Sequence, residues 1–314
     1  MPKVSVIIPN YNHASFLQQR IESVLNQTYQ DFEVVILDDC STDNSKEIIE
    51  QYRNHPKVSQ MVYNTDNSGS TFKQWDKGIN LAQGEYIWIA ESDDWCEPTL
   101  LETLTPKLEL DKNIVLGYVQ SYYMVDNEAK WTSKKDYSEK QLDTKIEGNL
   151  FIKHHSLYVN AIINASMAIF RKSAFYKIDN EYTKFKFCGD WLFWGLIASR
   201  GDVFISGKIL NYFRNHSNDV STKSYKTGLN YLEEIDVLKQ FYTRKYIDIF
   251  EFKWVLLAKY KNFANDKSFL PIDRVHEIQE KFETYIKSEI YFPKIFKFKR
   301  KLNSLIKKCK KIIK

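Results

Sequence analysis

The sequence lacks the features that mark secreted and membrane-spanning proteins. Its 314 residues include four cysteines, which are scattered without the spacing of a metal site, so we expect reduced thiols in a cytosolic setting. No apolar run approaches the roughly 18 residues that a membrane-spanning helix requires. Met1-Pro2-Lys3 leads directly into a strand-like apolar run, and a secretory signal is therefore not expected.

Glycine is also scarce, and its placement excludes two common ways of binding phosphate. The chain has 10 glycines. No Gly-x-Gly-x-x-Gly follows the first apolar run, and Gly-x-x-x-x-Gly-Lys-[Ser/Thr] occurs nowhere, so the dinucleotide and P-loop cradles are both absent. A nucleotide bound by this chain would therefore need a metal ion and side chains to neutralise its phosphates.

The net charge of +5 is distributed unevenly. Residues 294–314 contain ten Lys and Arg and no acid, whereas the preceding residues contain 35 basic and 40 acidic residues. An acidic body does not indicate a nucleic-acid groove, and no nucleic-acid partner is expected. Phe, Leu and Ile alternate with the basic residues of 294–314, which favours binding to an anionic membrane surface, each charge contributing about 1 kcal/mol. A disordered solubilising tail and a nucleic-acid-binding tail are the alternatives.

Short apolar runs alternate with helical patterns over the first 120 residues. The runs predict strands at residues 4–8, 32–37, 58–63, 86–90 and 114–119. The helical patterns between them lie at residues 16–25, 46–52, 72–82 and 99–110. This alternation predicts right-handed βαβ units, and thus an α/β fold with a mostly parallel sheet and helices on both faces.

The rest of the chain is less regular. Charged and polar residues dominate 126–147, which we interpret as an excursion from the sheet. Residues 162–170 and 203–212 predict further strands, with a helix at 190–199 between them. From about 225 to 290, apolar residues recur at helical spacing and predict a C-terminal helical extension.

Three acidic residues follow the apolar run at 86–90. Glu91, Asp93 and Asp94 cannot be buried there unless they are paired, protonated or bound to a cation. Open α/β sheets bind ligands at the carboxyl ends of their strands, and carboxylates clustered there can hold a hard divalent cation. Polar residues also follow the first two strands, so we expect these loops to form one crevice. A polar loop leading into a helix is the alternative.

The motifs in these loops resemble those of family 2 glycosyltransferases. The resemblance covers roughly residues 3–217, about two-thirds of the chain, and rests on the order and spacing of Val4–Asn12, Ser23–Tyr29, Phe32–Asp43 and Ala82–Tyr86. It implies the GT-A fold, in which a Rossmann-like nucleotide-binding sheet is fused to an acceptor-binding half. We therefore expect a GT-A domain at 1–220 (nucleotide-binding half 1–120, acceptor half 120–220), a helical extension at 221–290 and a basic amphipathic tail at 291–314.

The resemblance implies several residues that bind the donor nucleotide. Pro9 and Tyr11 would line the base pocket, with Tyr11 stacking on the base, and Asp39 would accept a hydrogen bond from a uracil-type imide. Lys73 falls where the family often has a basic residue near the diphosphate, and a lysine on a helix surface is an equal alternative. Ser92, between the acidic residues, is also predicted to contact the nucleotide.

The resemblance implies a divalent metal ion, Mn²⁺ or Mg²⁺. Glu91-Ser92-Asp93 occupies the family's Asp-x-Asp position, with Asp93 as the principal ligand and Glu91 in place of the first Asp. Arg214-Asn215-His216 resembles a segment that places a histidine near the diphosphate or metal, and a structural role for His216 is the alternative. Asp94 would hold the metal-binding residues in place without binding the metal itself, or it would cap a helix.

The predicted catalytic base is Asp190. The segment Phe187–Trp194 resembles the family's later motif, in which an acid precedes an aromatic-rich helix. Asp190 also suits a helix N-cap, and the two roles are compatible. The resemblance implies inversion at the sugar by one in-line displacement, in which Asp190 accepts the proton of the acceptor hydroxyl.

These features predict a metal-dependent glycosyltransferase that moves one sugar from a nucleotide sugar, preferably a UDP-sugar, to a glycan or lipid-linked acceptor of a surface polysaccharide. The membrane spans and Gln-x-x-Arg-Trp motif of processive synthases are missing, which favours a non-processive, peripheral enzyme on the cytoplasmic face of the membrane. A catalytically silent nucleotide-sugar-binding scaffold would not need Asp190. A sugar nucleotidyltransferase would carry a glycine-rich basic loop after the first strand, and Pro9–His13 is not such a loop.

Overall fold

The computed structural model describes residues 1–133, 143–215 and 220–287. The strands are β1 (Val4–Asn10), β2 (Phe32–Asp38), β3 (Val58–Tyr63), β4 (Tyr86–Ile89), β5 (Trp95–Cys96), β6 (Ile114–Val125), β7 (Glu128–Thr132), β8 (Asp143–Glu147), β9 (Ala168–Arg171) and β10 (Asp202–Asn215). The helices are α1 (Ala14–Leu25), α2 (Ser45–Glu50), α3 (Thr71–Leu81), α4 (Leu100–Leu110), α5 (Gly148–His154), α6 (Lys172–Phe175), α7 (Gly189–Ala198), α8 (Val220–Thr227), α9 (Leu229–Thr243), α10 (Ile249–Asp266) and α11 (Ile272–Lys287).

Within the described residues, the strands form one mixed sheet of ten, in the order β3-β2-β1-β4-β9-β6-β10-β5, with β7 paired to β6 and β8 to β10. β1 is parallel to β2 and β4, and β2 is parallel to β3. β9 is antiparallel to both β4 and β6, so β6 and its parallel neighbour β10 run in the direction of β4. The carboxyl ends of all these parallel strands therefore lie at one edge of the sheet.

The buried strands explain why the sequence pattern predicted this half well. Every residue of β1, β2 and β4 is buried, which requires cover on both faces and selects continuous apolar runs. The predicted α/β fold with C-terminal helices is confirmed. The sheet is parallel on the β3 to β4 side and gains its antiparallel pairs through β5, β7, β8 and β9.

Two strands within 126–147 escaped the sequence prediction. Most residues of β7 and β8 are exposed, so neither shows the apolar alternation that marks a half-buried strand. They pair with β6 and β10, which offer backbone partners. β6 is also longer than predicted. β9 is shorter than predicted because a short 3₁₀-helix at Ala165–Met167 precedes β9. Asn164 caps that helix by accepting a hydrogen bond from the Ser166 N–H (2.9 Å).

The helices that follow β10 pack on the sheet domain through α9. Phe241 of α9 lies against Gly195 of α7, where a Cβ atom would come within 2.5 Å of the phenyl ring. Glycine therefore allows the close approach of the two helices. Among the described residues, no helix combines the length and the apolar character needed to cross a membrane.

Candidate active site

The loops after β1 and β2 form one hydrogen-bonded unit at the carboxyl edge of the sheet. Asn10 Nδ2 donates to Asp38 Oδ1 (2.8 Å), and the Asp39 N–H donates to the Asn10 carbonyl (2.9 Å). Asp38 is buried, and its second oxygen accepts from the Ser41 N–H at 3.0 Å. The first acid of the Asp38-Asp39 pair therefore holds the loop together.

Asp39 is also buried, at 5% exposure, and its carboxylate organises the loop before α3. Oδ1 accepts from Asn64 Nδ2 (2.5 Å) and Gln74 Nε2 (2.9 Å), and Oδ2 accepts from Ser68 Oγ (2.7 Å). The Ser68 N–H lies 3.0 and 3.1 Å from the two oxygens. These four donors match the roughly four lone-pair sites of a carboxylate. These three partner residues carry no sequence signal for this role, because only the fold brings them to Asp39.

The other residues predicted to bind the donor nucleotide lie around these two loops. Pro9 is buried inside β1, whereas Tyr11, in the loop after it, is 46% exposed and presents its ring at the carboxyl edge. Lys73 is exposed on α3, and its Nζ donates to the Ser68 carbonyl at 3.3 Å. Tyr11, Asp39 and Lys73 thus belong to one edge of the sheet, and their roles toward a nucleotide stay predictions.

Glu91 is partly exposed, and its carboxylate contacts the core. Its Oε1 accepts from the indole N–H of Trp75 (2.7 Å), and Trp75 is 2% exposed. Burial, and next the negative charge of Asp93, raise the pKa of Glu91 to about 8. The Trp75 ring packs in turn on Phe193 and Trp194 of α7, at centroid distances of 5.5 and 6.1 Å. Glu91 therefore connects residues 91–94, which we call the acidic loop, to the helix that carries Asp190.

Ser92 joins the acidic loop to the loop after β1. It is 1% exposed, and its Oγ lies 2.8 Å from Nδ1 of His13, the residue that precedes α1. The contact fixes the two loops relative to each other. The contact of Ser92 with the nucleotide stays a prediction.

Asp94 lies in the interior directly behind the loop. It is 0% exposed, and its Oδ2 is 3.7 Å from Arg20 Nη2, which is equally buried. Ser166 Oγ donates to Oδ2 (2.7 Å) and the Arg214 N–H donates to Oδ1 (3.0 Å). Burial and the charge of Asp93 raise the pKa of Asp94 to about 7, and Arg20 opposes that rise. Asp94 is thus a structural carboxylate that anchors the loop.

Arg214 holds the loop from the side of β10. Its guanidinium lies between the rings of Phe16 and Trp95, 4.4 Å from each centroid. It donates to the Asp93 carbonyl and, at 2.7 Å, to Gln19 Oε1. The Arg214-Asn215-His216 segment suggested a role only for its histidine, so this role of Arg214 was missed.

Asp190 lies in the first turn of α7, where Cys188 and not Asp190 occupies the N-cap. Its oxygens accept from Asn160 Nδ2 (2.8 Å) and from the Trp191 N–H (2.7 Å). Burial raises the pKa of Asp190 to about 7 although both hydrogen bonds lower it. A positioned carboxylate with a pKa near neutrality is well matched to general-base catalysis.

The turn before Asp190 is held by a residue of the C-terminal helices. Glu233 of α9 is 8% exposed, and its carboxylate accepts from the backbone N–H groups of Lys186, Phe187 and Cys188 at 2.8, 2.8 and 2.7 Å. This contact was also missed, because the sequence pattern distinguishes Glu233 in no way from the other polar residues of the predicted helix. The helices after β10 therefore support the candidate base.

The acidic loop fits a metal ion that takes only part of its ligands from the protein. Asp93 is partly exposed, Glu91 is bound to Trp75 and Asp94 is buried. In the part of the chain that the structure describes, no group of three or more His, Cys, Asp and Glu side chains is arranged to hold a metal. Mg²⁺ typically takes one or two carboxylates and completes its shell with water and substrate phosphate oxygens, which Asp93 suits. His216 and the basic segment 294–314 lie outside the described residues.

Comparisons with known proteins show the family of this chain. The family model described as Glycosyl transferase family 2 matches residues 5–179. Glycosyltransferase GlyG of Streptococcus pneumoniae is 28% identical over 230 residues, 70% of this chain and 73% of GlyG. Chondroitin synthase of Pasteurella multocida is 37% identical over 119 residues, which are 38% of this chain but only 12% of the synthase.

Solved structures of low sequence identity share the fold. S. aureus TarS 1–349 in complex with UDP-GlcNAc superposes with a TM-score of 0.69 at 19% identity, covering 90% of this chain and 81% of TarS. The mannosyltransferase PcManGT of Pyrobaculum calidifontis, in complex with GDP-Man and Mn²⁺, has a TM-score of 0.56 at 13% identity, covering 91% of this chain and 83% of PcManGT.

The fold and the family match together define a glycosyltransferase of the GT-A fold. Since the family match spans more than half of the sequence, the chain belongs to glycosyl transferase family 2.

Proposed function

We propose that this enzyme transfers one sugar from a UDP-sugar to a hydroxyl of a glycan or lipid-linked acceptor, with inversion at the anomeric carbon. The observation that carries the proposal is the link between Asp190 and the acidic loop. Trp75 donates to Glu91 and packs on α7, so the helix of the candidate base and the candidate diphosphate site are joined by direct contacts.

The donor would bind across the carboxyl ends of β1, β2 and β4. Tyr11 would stack on the base, next to Pro9, and Lys73 would approach the diphosphate. Because four donors already satisfy Asp39, a uracil imide would have to take the place of one of them, and the Ser68 hydroxyl is the one free to rotate away. TarS, with its UDP-GlcNAc complex, is the neighbour that favours UDP as the nucleotide.

The transfer itself would be carried by Asp190. In its deprotonated form Asp190 would accept the proton of the acceptor hydroxyl as the oxygen attacks the sugar, while Asn160 and the Trp191 N–H hold its orientation. Asp93 would hold the divalent ion, Mn²⁺ or Mg²⁺, which supplies charge neutralisation for the departing nucleotide diphosphate. Glu91 and His216 are proposed as further ligands with less support, since Glu91 is bound to Trp75.

The cellular setting is proposed from the relatives and the charge pattern. Chondroitin synthase is a polysaccharide enzyme by name, which favours a role in surface polysaccharide synthesis for this chain. We expect a non-processive enzyme on the cytoplasmic side of the membrane, where residues 294–314 would bind anionic lipid.

A calorimetric binding panel tests the donor site. UDP, GDP and dTDP are titrated into the full chain with Mn²⁺ and with EDTA, and the panel is repeated with Asp93→Asn and Asp39→Asn. Metal-dependent binding of UDP that both substitutions weaken supports the proposal. Binding of none of the three nucleotides under either condition would remove the donor site, and with it the proposed reaction.

A turnover assay tests the base. Release of UDP from UDP-GlcNAc, UDP-glucose and UDP-galactose is followed with and without added disaccharide acceptors. Asp190→Asn should bind UDP like the wild type and lose turnover. Turnover at the wild-type rate in this variant would show that another group accepts the proton.

A further inference from the structure

A buried lysine of the C-terminal helices contacts the residues around the candidate base and takes no part in the proposed chemistry. Lys259 of α10 is 5% exposed, and its Nζ donates to Glu234 Oε2 of α9 at 2.7 Å. Lysine is rarely buried unless its ammonium group has a partner, and this ion pair meets that need. The same ammonium group also lies over two aromatic rings, which a salt bridge between two helices does not require.

Both rings belong to the segments that hold Asp190. Lys259 Nζ is 5.1 Å from the ring centroid of Trp191 and 4.9 Å from that of Tyr158. The backbone N–H of Trp191 donates to Asp190 Oδ1 at 2.7 Å. Asn160, two residues after Tyr158, donates to Asp190 Oδ2 at 2.8 Å. Each oxygen of the candidate base is therefore bonded by a residue whose segment lies against this lysine.

Further contacts attach residues 156–160 to α7 and α10. Trp191 Nε1 donates to the Ser156 carbonyl at 2.6 Å. Asn262, on α10 one turn after the lysine, donates from Nδ2 to the Tyr158 hydroxyl at 2.9 Å. The segment forms neither helix nor strand, so it has no hydrogen-bond ladder of its own. Its position therefore depends on contacts of this kind with the two helices.

Lys259 also brings a positive charge to a region that contains three carboxylates. Burial raises the pKa of the Cys188 thiol at the start of α7, and three carboxylates add to that rise: Glu234, Asp190 and Glu233. The charge of Lys259 opposes the rise. Since all four charged groups act on one thiol, the ammonium group is a cation that offsets the carboxylates around the first turn of α7.

We propose that Lys259 is a positioning residue that keeps Asp190 oriented. On one side its ammonium group holds the Tyr158 ring, and hence Asn160. On the other side it holds the Trp191 ring, and hence the N–H that bonds the second carboxylate oxygen. A cation attracts the face of an aromatic ring, and the attraction is stronger where water is excluded. The proposal rests on the proposed function, in which Asp190 is the base.

Turnover by the full chain tests the proposal, with UDP release from UDP-GlcNAc, UDP-glucose and UDP-galactose measured in the presence of disaccharide acceptors. Lys259→Met keeps an unbranched apolar chain without the charge, and it should lower kcat by about 10- to 100-fold. Lys259→Arg retains a cation for both rings and should keep kcat within about threefold of wild type. Lys281→Met is the matched control, because Lys281 Nζ pairs with Asp236 at 2.6 Å and joins α11 to α9 by the same kind of ion pair.

Tyr158 provides a second test that leaves the buried ion pair in place. Tyr158 is 36% exposed, so Tyr158→Ala should fold, and it removes the ring that links the lysine to Asn160. Burial raises the pKa of Asp190, and the hydrogen bonds of Trp191 and Asn160 oppose that rise. Losing the Asn160 bond should therefore move the rise of turnover with pH to higher pH. Tyr158→Phe keeps the ring and should retain the wild-type kcat and pH profile.

The pH profile is measured on the Tyr158 variants because they leave the other titratable groups unchanged. The groups that interact electrostatically with Asp190 include Glu233 of α9, Cys188 at the start of α7 and Tyr225 of α8. Both variants keep all three, so a shift of the profile reports the position of Asn160.

The outcomes separate the proposal from the proposed function. A wild type that releases UDP from none of the donors overturns the proposed function, and the positioning role with it. With wild-type turnover present, the positioning role alone is overturned by wild-type kcat in Lys259→Met, by wild-type kcat and pH profile in Tyr158→Ala, or by an equal loss of kcat in Lys281→Met. Loss of kcat in Lys259→Met and Tyr158→Ala supports it, provided that calorimetric UDP affinity is unchanged and denaturant unfolding shows both variants to be folded.

Discussion

Glu233 offers a sharp test of how the C-terminal helices serve the catalytic half. Its carboxylate receives three backbone N–H groups from the turn that leads to Asp190, at 2.7–2.8 Å. Glu233→Ala removes all three acceptor contacts at a buried position. Glu233→Gln keeps one oxygen, which can still accept from the Phe187 and Cys188 N–H groups that share Oε2.

The expected magnitude follows from these contacts. A buried N–H left without a partner costs about 1–3 kcal/mol, so Glu233→Ala should lower the free energy of unfolding by roughly 3–5 kcal/mol and Glu233→Gln by about 1–2 kcal/mol. The turn before Asp190 should then loosen, and a shift of about 1 Å in a catalytic group can cost on the order of 10²-fold in rate. Donor affinity should not change, because Glu233 contacts no part of the donor site.

The assay combines denaturant unfolding, UDP calorimetry and turnover on the three proteins. Burial is the main cause that raises the pKa of Asp190, and the negative charge of Glu233 adds a smaller rise, so in Glu233→Gln the rise of turnover with pH should move slightly to lower pH. A merely structural role would lower stability without moving the pH profile. Glu233→Ala with wild-type stability, or Glu233→Gln with wild-type turnover and pH profile, would refute the reasoning.

Three further perturbations follow from the same geometry. Burial raises the pKa of Asp190 to about 7, and only the deprotonated carboxylate accepts a proton, so wild-type turnover should rise as the pH passes through that value. A turnover that does not change with pH would contradict this. Asp190→Asn should lower kcat by about 10²–10⁴-fold. Asp94→Ala leaves the Arg20 guanidinium buried without its carboxylate and should cost about 3–5 kcal/mol in denaturant unfolding. Trp75→Phe removes the donor to Glu91 and should cost about 1–3 kcal/mol; unchanged stability would show that Glu91 finds water instead.

The predictable parts of the fold are the strands in which every consecutive residue is buried and therefore apolar. β1, β2 and β4 are buried on both faces and therefore read as apolar runs, and the polar residues that follow them mark where each strand leaves the core. β7 and β8 were missed because their side chains are mostly exposed and only the edges of β6 and β10 make them strands.

The acidic loop shows the limit of sequence reasoning at the site. The pattern Glu91-Ser92-Asp93-Asp94 indicates a carboxylate cluster but does not say which member meets solvent. The fold buries Asp94 against Arg20 and binds Glu91 to Trp75, while Glu91 and Asp93 both stay partly exposed. These partners are distant in sequence, and each was itself predicted only as part of a helix.

The sequence alone determined most strands and helices of the first 120 residues and the position of the acidic loop, since both depend on local residue patterns. The candidacy of Asp190 came from the resemblance of its segment to a family motif. Only the tertiary structure decided that Glu233 hydrogen-bonds to the turn before Asp190 and that Arg214 hydrogen-bonds to the acidic loop. It also decided that Trp131 lies beside Tyr123. These contacts join residues from separate elements, and their distances follow from how the sheet and helices pack.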